Sequence, residues 1–462
     1  MSDRIDLIIA HIQAHRNPQA IPQVAHAAAR IWMQDSIGVA LSGASVPQSE
    51  IVLNVARGWG QSGGQGNDAH VWGTVEKLPA GNAALVNAFN THNQEFDCVH
   101  ERAVVHPMAV ILAALFAYAE KLAQAGKPVS GDKFTAALTL AVDCATVIGM
   151  SATRAIRFFR PAQCGCLGAV AGICALADFD QPKSRNSFGL AYSQLAGTMQ
   201  AHIEGTPALA LQVGFAARAA VNAAEFAAQG FRGPHNILDG QHGYFALFEA
   251  DAAPDIAFAQ LGKVWQITKV SHKPFPTGRA AQGGIAGLRY LMQSVGFGYA
   301  DVVQIIVAAP PLVRQLVNRP MQLDMSVSYA RLCMPFLLAL TLREGTVNLN
   351  AYSAANLSSQ NLLLLAEKVS MVADASADPN SLRPQHITVT LKNGSSHSHD
   401  LAYVYGAPEA PMSAEDQVQK FIHCASFAPR PRDAKSAMAL HMQIAHLHAL
   451  LDVTELLHDL AA

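Results

Sequence analysis

The chain has 462 residues, 51% of them hydrophobic and only 14% charged, and its formal net charge is −2. This length is enough for two or three domains with a large core, and the shortage of charge predicts that a second copy of the chain covers part of the surface. No basic stripe stands out, which argues against nucleic acid as a partner.

Nothing in the sequence predicts export or a membrane. The first residues, MSDRIDLIIAHIQ, alternate acids and bases and lack the apolar segment of a signal peptide. The longest apolar runs, 108–119 and 164–177, are shorter than the roughly 18 residues that a membrane span requires. The seven cysteines have no framework spacing, which favours reduced thiols. We therefore expect a cytoplasmic protein.

Residues 1–265 are mostly helical in pattern. Alanine-rich segments recur at 136–150, 165–179 and 213–230, and several are apolar nearly all round. Such helices suit the inside of a large bundle, where small residues allow close packing. The sequence therefore predicts a large all-helical domain over this part of the chain.

The pattern changes near residue 266. The β-branched run VVQIIVAAPP (302–311) predicts a strand, and the segment 386–406 alternates around a Lys-Asn-Gly turn, which predicts a hairpin. Helices are predicted between them at 328–345 and 354–369. Residues 266–404 are thus an α+β domain, and residues 405–462 are predicted to return as helices to the first domain. The fold class expected is mainly α with a smaller α+β part.

Two motif matches do not indicate a ligand. GWGQSG (58–63) matches the GxGxxG pattern of dinucleotide loops, but a helix is predicted before it instead of a strand, so we interpret it as a turn. HER (100–102) begins like the zinc-binding HExxH motif, but Val104 stands where the second histidine would fall. His100 and His106 are six residues apart and would not share a helix face. No set of histidines, cysteines and carboxylates has ligand spacing, and the sequence predicts no metal site.

Titratable residues gather at 95–107, EFDCVHERAVVHP, just before an apolar helix. His106 precedes Pro107 at the predicted start of that helix. Two other basic residues, Arg160 and Lys273, also stand immediately before a proline. The field of a helix N-terminus favours anions and should keep an imidazole neutral, as a general base requires. If the three segments converge, they form a pocket for carboxylates; the other interpretation is that they are ordinary helix starts.

Several segments in order resemble the MmgE/PrpD family of 2-methylcitrate dehydratases, cis-aconitate decarboxylases and iminodisuccinate epimerases. They are DSIGVALSGA (35–44), the stretch 71–97 that ends in NTHNQEFD, the stretch 214–248, KPFPTGRAAQGGIAGL (273–288) and GAPEAPMSAEDQVQKF (406–421). The resemblance implies a large helical domain with a smaller α+β lid, a homodimer, and an active site in the cleft between the two domains.

The resemblance also implies roles for individual residues. His106 matches the catalytic histidine of the family and would be the general acid/base, and Lys273 matches an active-site lysine that would bind a carboxylate or protonate a leaving group. Glu95 and Asp97 match acidic positions, and Asp97, with Glu95, would orient His106 or His100.

The chain departs from the family pattern where relatives usually have histidine, lysine, histidine and tyrosine. The residues at those positions are Arg160, Leu209, Gln282 and Phe336. Arg160, Arg279 and Arg331 would keep a cationic pocket, in which Arg160 and Arg331 bind carboxylate with bidentate guanidinium groups.

The function expected is that of a cofactor-independent lyase, foremost a hydro-lyase, or of an isomerase. It would act on a small di- or tricarboxylate through a carbanion-like centre beside a carboxylate, with no metal and no organic cofactor. Dehydration, decarboxylation and epimerisation stay open, and the alternative is a non-catalytic carboxylate-binding paralogue.

Overall fold

The computed structural model describes residues 3–60 and 67–461, and most of them are helical. The helices before residue 260 are α1 (Ile5–His15), α2 (Gln23–Gly43), α3 (Pro47–Gly58), α4 (Ala80–His92), α5 (Pro107–Gln124), α6 (Gly131–Met150), α7 (Arg160–Leu176), α8 (Gln181–Tyr192), α9 (Gln200–Glu204), α10 (Ala208–Ala228), α11 (Tyr244–Phe248) and α12 (Pro254–Phe258). Two short antiparallel strands, β1 (Asp68–His70) and β2 (Lys77–Pro79), lie between α3 and α4 in the chain. The turn predicted at 58–63 lies partly outside the described residues.

Glycines allow the central helices to approach closely. Helices α4, α5, α7 and α10 pack on one another, and α6 packs along α7. A Cβ atom added to Gly168 of α7 would lie 2.7 Å from the carbonyl oxygen of Ala141, and one added to Gly172 would lie 2.7 Å from Leu115. No side chain fits at these contacts, so the small residues of the sequence set the helix spacing.

Helices α5 and α6 are long and apolar enough to cross a membrane by length and composition alone. In the structure, 78% of the apolar window of α5 and 89% of that of α6 are buried inside the protein. Their hydrophobicity is therefore explained by their place at the centre of the bundle.

The later part of the chain contains a four-stranded mixed sheet. Its strands are β3 (Val302–Ala309), β4 (Val369–Ala373), β5 (Gln385–Leu391) and β6 (Ser396–Leu401), in the order β4-β3-β5-β6. Strands β3 and β4 are parallel and the other pairs are antiparallel. The predicted strand at 302–311 and the predicted hairpin are both present.

Helices cover this sheet and continue to the end of the chain. They are α13 (Arg279–Val295), α14 (Pro311–Val317), α15 (Val327–Ala330), α16 (Met334–Glu344), α17 (Ala354–Leu357), α18 (Gln360–Ala366), α19 (Ala414–Ser426), α20 (Ala434–Ala445) and α21 (Glu455–Ala461). Single 3-10 turns are found at Pro18–Ala20, Gln266–Lys269, Leu349–Tyr352 and Leu447–Ala449. Helix α13 packs on β5, β6 and α16, whereas α19 and α20 pack back on α2. The prediction of a mainly helical fold with a smaller α+β part is confirmed.

Two predicted helices are wrong in detail. The helix predicted at 328–345 is interrupted between α15 and α16, because Pro335 lies in the first turn of α16 and removes a backbone donor there. The helix predicted at 354–369 is split by Ser359, whose side chain caps α18, and its end belongs to β4. The first interruption places Arg331 just after α15, on the wall of a cavity.

Candidate active site

The site begins at the C-terminal end of α4, where the chain turns back on itself. His92 is the last residue of the helix, and the amide of Glu95 donates to its carbonyl oxygen at 3.0 Å. Glu95 has a φ of 53°, a left-handed conformation that costs free energy for a residue with a side chain. This turn brings the carboxylate of Asp97 next to the imidazole of His92, and the surrounding contacts must hold it.

The next residues form a short loop that is tied to a distant segment. Val99 and Ser271 exchange two backbone hydrogen bonds, of 3.0 and 2.7 Å. His100 and Val105 pair with each other and close the loop, so that His106 becomes the N-cap residue of α5. Because Lys273 follows Ser271 by two residues, this pairing brings the lysine to the acidic turn.

Asp97 is the centre of the resulting cluster. Its carboxylate lies 3.0 Å from Nδ1 of His92, 3.2 Å from Nδ1 of His106 and 3.7 Å from Nζ of Lys273. The Lys273 ammonium also donates to the carbonyl and to the carboxylate of Glu95, both at 3.1 Å. Asp97 and Lys273 are fully buried, whereas His106 keeps 14% of its side chain exposed. The two imidazole rings meet edge to face, with their centroids 4.8 Å apart.

The two histidines are shifted in opposite directions. Burial and the Lys273 ammonium lower the pKa of His106, although the Asp97 carboxylate opposes them. Burial alone would also lower the pKa of His92, but the Asp97 carboxylate outweighs it and the pKa of His92 is raised. Two titratable groups whose environments separate their pKa values are typical of a general acid and a general base.

The two carboxyl groups are ionised near neutral pH. Burial would raise the pKa of Asp97, but His92, His106 and Lys273 hold it well below its ordinary value. The pKa of Glu95 falls to about 2 because Lys273 and the two histidines outweigh its burial. With the ammonium of Lys273, the cluster therefore contains two negative charges and one fixed positive charge, before the imidazoles are counted.

A cavity of about 430 Å³, with both polar and apolar side chains in its wall, opens beside this cluster. His92, Glu95 and Arg331 line it together with serine, threonine and amide side chains. Arg331 is only 5% exposed, its guanidinium lies 4.9 Å from the ring centroid of Tyr352, and one of its terminal nitrogens donates to the carbonyl of Asn93. Its Nε has no hydrogen-bond partner among the described residues. A carboxylate could accept a hydrogen bond from this buried Nε–H group.

A smaller and mostly apolar cavity, of about 60 Å³, also has His92 and Glu95 in its wall. His106 and His202 line it with several aliphatic and aromatic side chains, and Leu209 borders both cavities. His92 and Glu95 therefore border both the cavity that contains Arg331 and the mostly apolar one.

The structure brings five of the residues singled out in the sequence to this place: His106, Lys273, Asp97, Glu95 and Arg331. It also adds His92, which no motif indicated, although it lies in the quoted segment NTHNQEFD. Its position three residues before Glu95 and five before Asp97 was the only signal.

The other three candidates have different partners. Arg160 is 1% exposed, and its guanidinium pairs with Glu249, so its charge is already neutralised. It lines neither cavity among the described residues. Arg279 borders the small cavity but donates to Glu101 and to three backbone carbonyls.

His100 also lies outside the cluster. Its Nε2 contacts the Gln266 amide oxygen at 3.1 Å, and its Nδ1 accepts from the amide of Ala103. Burial lowers its pKa to about 4, so it is neutral. The carboxylate of Asp97 therefore contacts His106 and His92, whereas the hydrogen bonds of His100 hold the loop.

The remaining departures from the family pattern are also placed by the structure. Gln282 accepts from the amide of Phe275 and donates to two carbonyls, which fixes the loop that follows Lys273. Phe336 is fully buried in the core. Of these two positions and Leu209, only Leu209 borders a cavity described above.

His92, Asp97 and His106 have the spacing of a three-ligand metal site, since one ligand atom from each lies within 4.8 Å of the others. The ammonium of Lys273, 3.7 Å from Asp97, would repel a divalent cation at this position. We therefore interpret the group as an ion-pair network, and the absence of a metal from the reaction stays a prediction that chelation can test.

Comparison with known families agrees with this architecture. Residues 8–257 match the MmgE/PrpD N-terminal domain, and residues 275–443 match the MmgE/PrpD C-terminal domain. The chain belongs to the MmgE/PrpD family. His92, Asp97 and His106 lie in the first matched domain, and Lys273 lies between the two.

Curated relatives in this family are enzymes. The chain is 27% identical to the cis-aconitate decarboxylase of Homo sapiens over 76% of this chain and 74% of the relative. It is 26% identical to the cis-aconitate decarboxylase of Mus musculus over 84% of this chain and 80% of the relative. It is 24% identical to that of Aspergillus terreus (strain NIH 2624 / FGSC A1156) over 97% of this chain and 94% of the relative. These relatives support an enzyme of the MmgE/PrpD family.

Proposed function

We propose that the chain is a lyase or isomerase that moves a proton at a carbon atom next to a carboxylate of a small di- or tricarboxylate, without a metal or an organic cofactor. One observation carries this proposal: the carboxylate of Asp97 lies 3.0 Å from His92 and 3.2 Å from His106, and His92 lines the cavity that contains Arg331. Arg331 would hold the carboxylate through charge-assisted hydrogen bonds.

The two histidines suit complementary proton transfers. His106, whose pKa is lowered, would take a proton from carbon as a neutral base. His92, whose pKa is raised, would give a proton as an imidazolium. It lines the large cavity, and its buried Nε2 has no hydrogen-bond partner among the described residues. The buried ammonium of Lys273 would stabilise negative charge that develops on the substrate.

The sequence suggested a hydro-lyase first, but the names of the relatives favour decarboxylation as the first reaction to assay. In a decarboxylation the bond between the carbon and the carboxylate breaks, carbon dioxide leaves, and the electron pair stays on the carbon. His92 would then deliver the proton that this carbon requires. In a dehydration or an epimerisation, His106 would first remove a proton from the carbon.

Proton NMR of a panel of di- and tricarboxylates in deuterated water tests the proposal, because it detects both turnover and exchange at carbon. We expect the wild type to act on at least one compound. The His106→Asn variant should lose at least about 100-fold in rate, the lower edge of general-base catalysis. His100→Asn is the matched control, since His100 lies on the same loop but outside the cluster. A wild type that binds carboxylates without exchange or turnover would favour a non-catalytic binding protein.

We also propose that the chain works as a homodimer in the cytoplasm. Helices α3 and α10 are joined where Arg218 stacks on Trp59, and they expose apolar side chains that include Ile51, Phe215 and Phe226. Such exposed apolar groups favour a second copy as their cover. Light scattering at micromolar concentration should give twice the mass of the 49.0 kDa chain, and a monomer would refute the assembly.

A further inference from the structure

We propose that the substrate carries an uncharged, apolar substituent of a few carbon atoms, which occupies the small cavity beside His106 while a carboxylate binds Arg331 in the large one. This inference rests on the proposed function, since it names the class of substrate for the same site. Its basis is the contrast between the linings of the two cavities.

The small cavity is apolar on most of its wall. Phe159, Met199, Leu209 and Leu316 line it with other aliphatic side chains, and its volume of about 60 Å³ has room for a few groups. About 10–15 Å³ measured in this way holds one water-sized group, so substituents from methyl to propyl are of suitable size. Water in such a space has few partners, and an apolar group that replaces it gains free energy.

Among the described residues, the two cationic groups of this cavity, Arg279 and the proposed imidazolium of His92, each lie beside a carboxylate. Arg279 donates to Glu101 and to three carbonyl oxygens, so four of the five N–H groups of its guanidinium already have partners. The His92 ring lies between Asp97 and Glu95, at 3.0 and 3.8 Å. The ionised carboxylate of Glu95 borders both cavities, and the small cavity has no Arg331 in its wall to offset the repulsion of a second anion.

His202 does not change this balance. It borders both cavities, but burial and the neighbouring Arg319 guanidinium lower its pKa to about 4, so the ring is neutral near pH 7. Arg319 lies beyond it, 3.3 Å from Nδ1 of His202, and is not part of either wall among the described residues. The cationic wall is therefore the one at Arg331, whose buried Nε has no hydrogen-bond partner there.

Calorimetry with maleates substituted at C2 tests the inference, because the compounds differ only in the group that would enter the small cavity. The C2 substituents are hydrogen, methyl, ethyl, propyl and carboxymethyl. We expect affinity to rise about fourfold per added methylene until the cavity is full. The carboxymethyl compound, which is cis-aconitate, should bind at least tenfold more weakly than the ethyl compound. Equal or tighter binding of the carboxymethyl compound, or no binding by any member, would overturn the inference.

A charge placed in the small cavity should reverse the preference. Met199 borders only this cavity of the two and lies just before α9, so Met199→Lys adds an ammonium of similar length. The variant should bind the carboxymethyl compound at least tenfold more tightly relative to the ethyl compound, whereas Met199→Gln, the uncharged control, should not. Arg331→Met should weaken the binding of every maleate in the series. An unchanged preference in a folded Met199→Lys protein would contradict the assignment of the cavity.

Separate measurements of binding and of turnover distinguish a failure of this inference from a failure of the proposed function. Calorimetry reports affinity whether or not a reaction follows, and NMR in deuterated water reports the reaction. Alkyl maleates that bind in the expected order without exchange or turnover would support the substrate class and refute the catalytic role. Turnover of tricarboxylates alone, with tight binding of the carboxymethyl compound, would support catalysis and overturn the substrate class.

Discussion

The Asp97→Asn substitution removes the charge at the centre of the cluster while keeping the shape of the side chain. Asp97 lies 3.0 Å from His92, 3.2 Å from His106 and 3.7 Å from Lys273. At an effective dielectric constant of about 20, two unit charges about 4 Å apart interact by about 4 kcal/mol. Because the group is fully buried, solvent screens little of this attraction. Losing this attraction should therefore change which protonation states of His92 and His106 are populated.

The direction of the change follows from the two pKa shifts. The proposed mechanism needs neutral His106 and protonated His92, so activity should be lost on the acid side as His106 gains a proton and on the alkaline side as His92 loses one. Asp97 raises the pKa of both histidines, so its removal lowers both. The alkaline limb of the pH–rate profile should move to lower pH by at least about one unit. The rate at the optimum should fall by at least about 100-fold, because His92 loses its orienting partner.

Glu101→Gln is the matched control for this experiment. Glu101 lies on the same loop and pairs with buried Arg279 at 2.8 Å, so the variant also loses a carboxylate beside a cation. It contacts neither His92 nor His106 in the hydrogen bonds and ion pairs of the described residues. Its melting temperature should fall, but its alkaline limb should stay in place. If both variants leave the pH–rate profile unchanged, Asp97 does not set the protonation of His92 and the acid–base assignment is wrong.

Two further predictions concern the metal and Arg160. Activity on any substrate found should survive exhaustive chelation, since Lys273 opposes a cation at the cluster; loss with EDTA that a divalent ion restores would show that His92, Asp97 and His106 bind metal. Arg160→Met should lower the melting temperature, because breaking a buried ion pair leaves Glu249 unpaired and costs about 3–5 kcal/mol. The substrate preference of that variant should stay unchanged, and a changed preference would return Arg160 to the binding site.

Sequence reasoning worked where the signal is local. The hairpin of β5 and β6 was predicted from alternating residues around a Lys-Asn-Gly turn, and the helices were predicted from apolar periodicity and proline starts. The concentration of titratable residues at 95–107 also indicated the segment that supplies Asp97 and His106 to the buried ion-pair cluster. Charged groups are rare in an apolar bundle unless they are paired, so such a cluster is informative without any structure.

The rest depends on contacts between residues that are distant in the chain. The partner of Arg160 is Glu249, 89 residues away, and nothing in either local sequence indicates the pair. His92 looks like one more residue at the end of a helix, and its role becomes visible only when the turn at Glu95 folds back on it. The interruption between α15 and α16 could have been inferred from Pro335, but its consequence for Arg331 could not.

The strained turn that carries the site is held by cations from the later part of the chain. Arg331 donates to the carbonyl of Asn93, Lys273 to that of Glu95 at 3.1 Å, and Lys420 to that of Phe96 at 2.9 Å. These three charge-assisted hydrogen bonds fix successive parts of a backbone that includes the left-handed Glu95. Two of the same cations also lie at the candidate site, since Arg331 lines the large cavity and Lys273 lies 3.7 Å from Asp97. The geometry of Asp97 and His92 therefore depends on the docking of both parts of the chain, because side chains from the later part hold the turn that positions them.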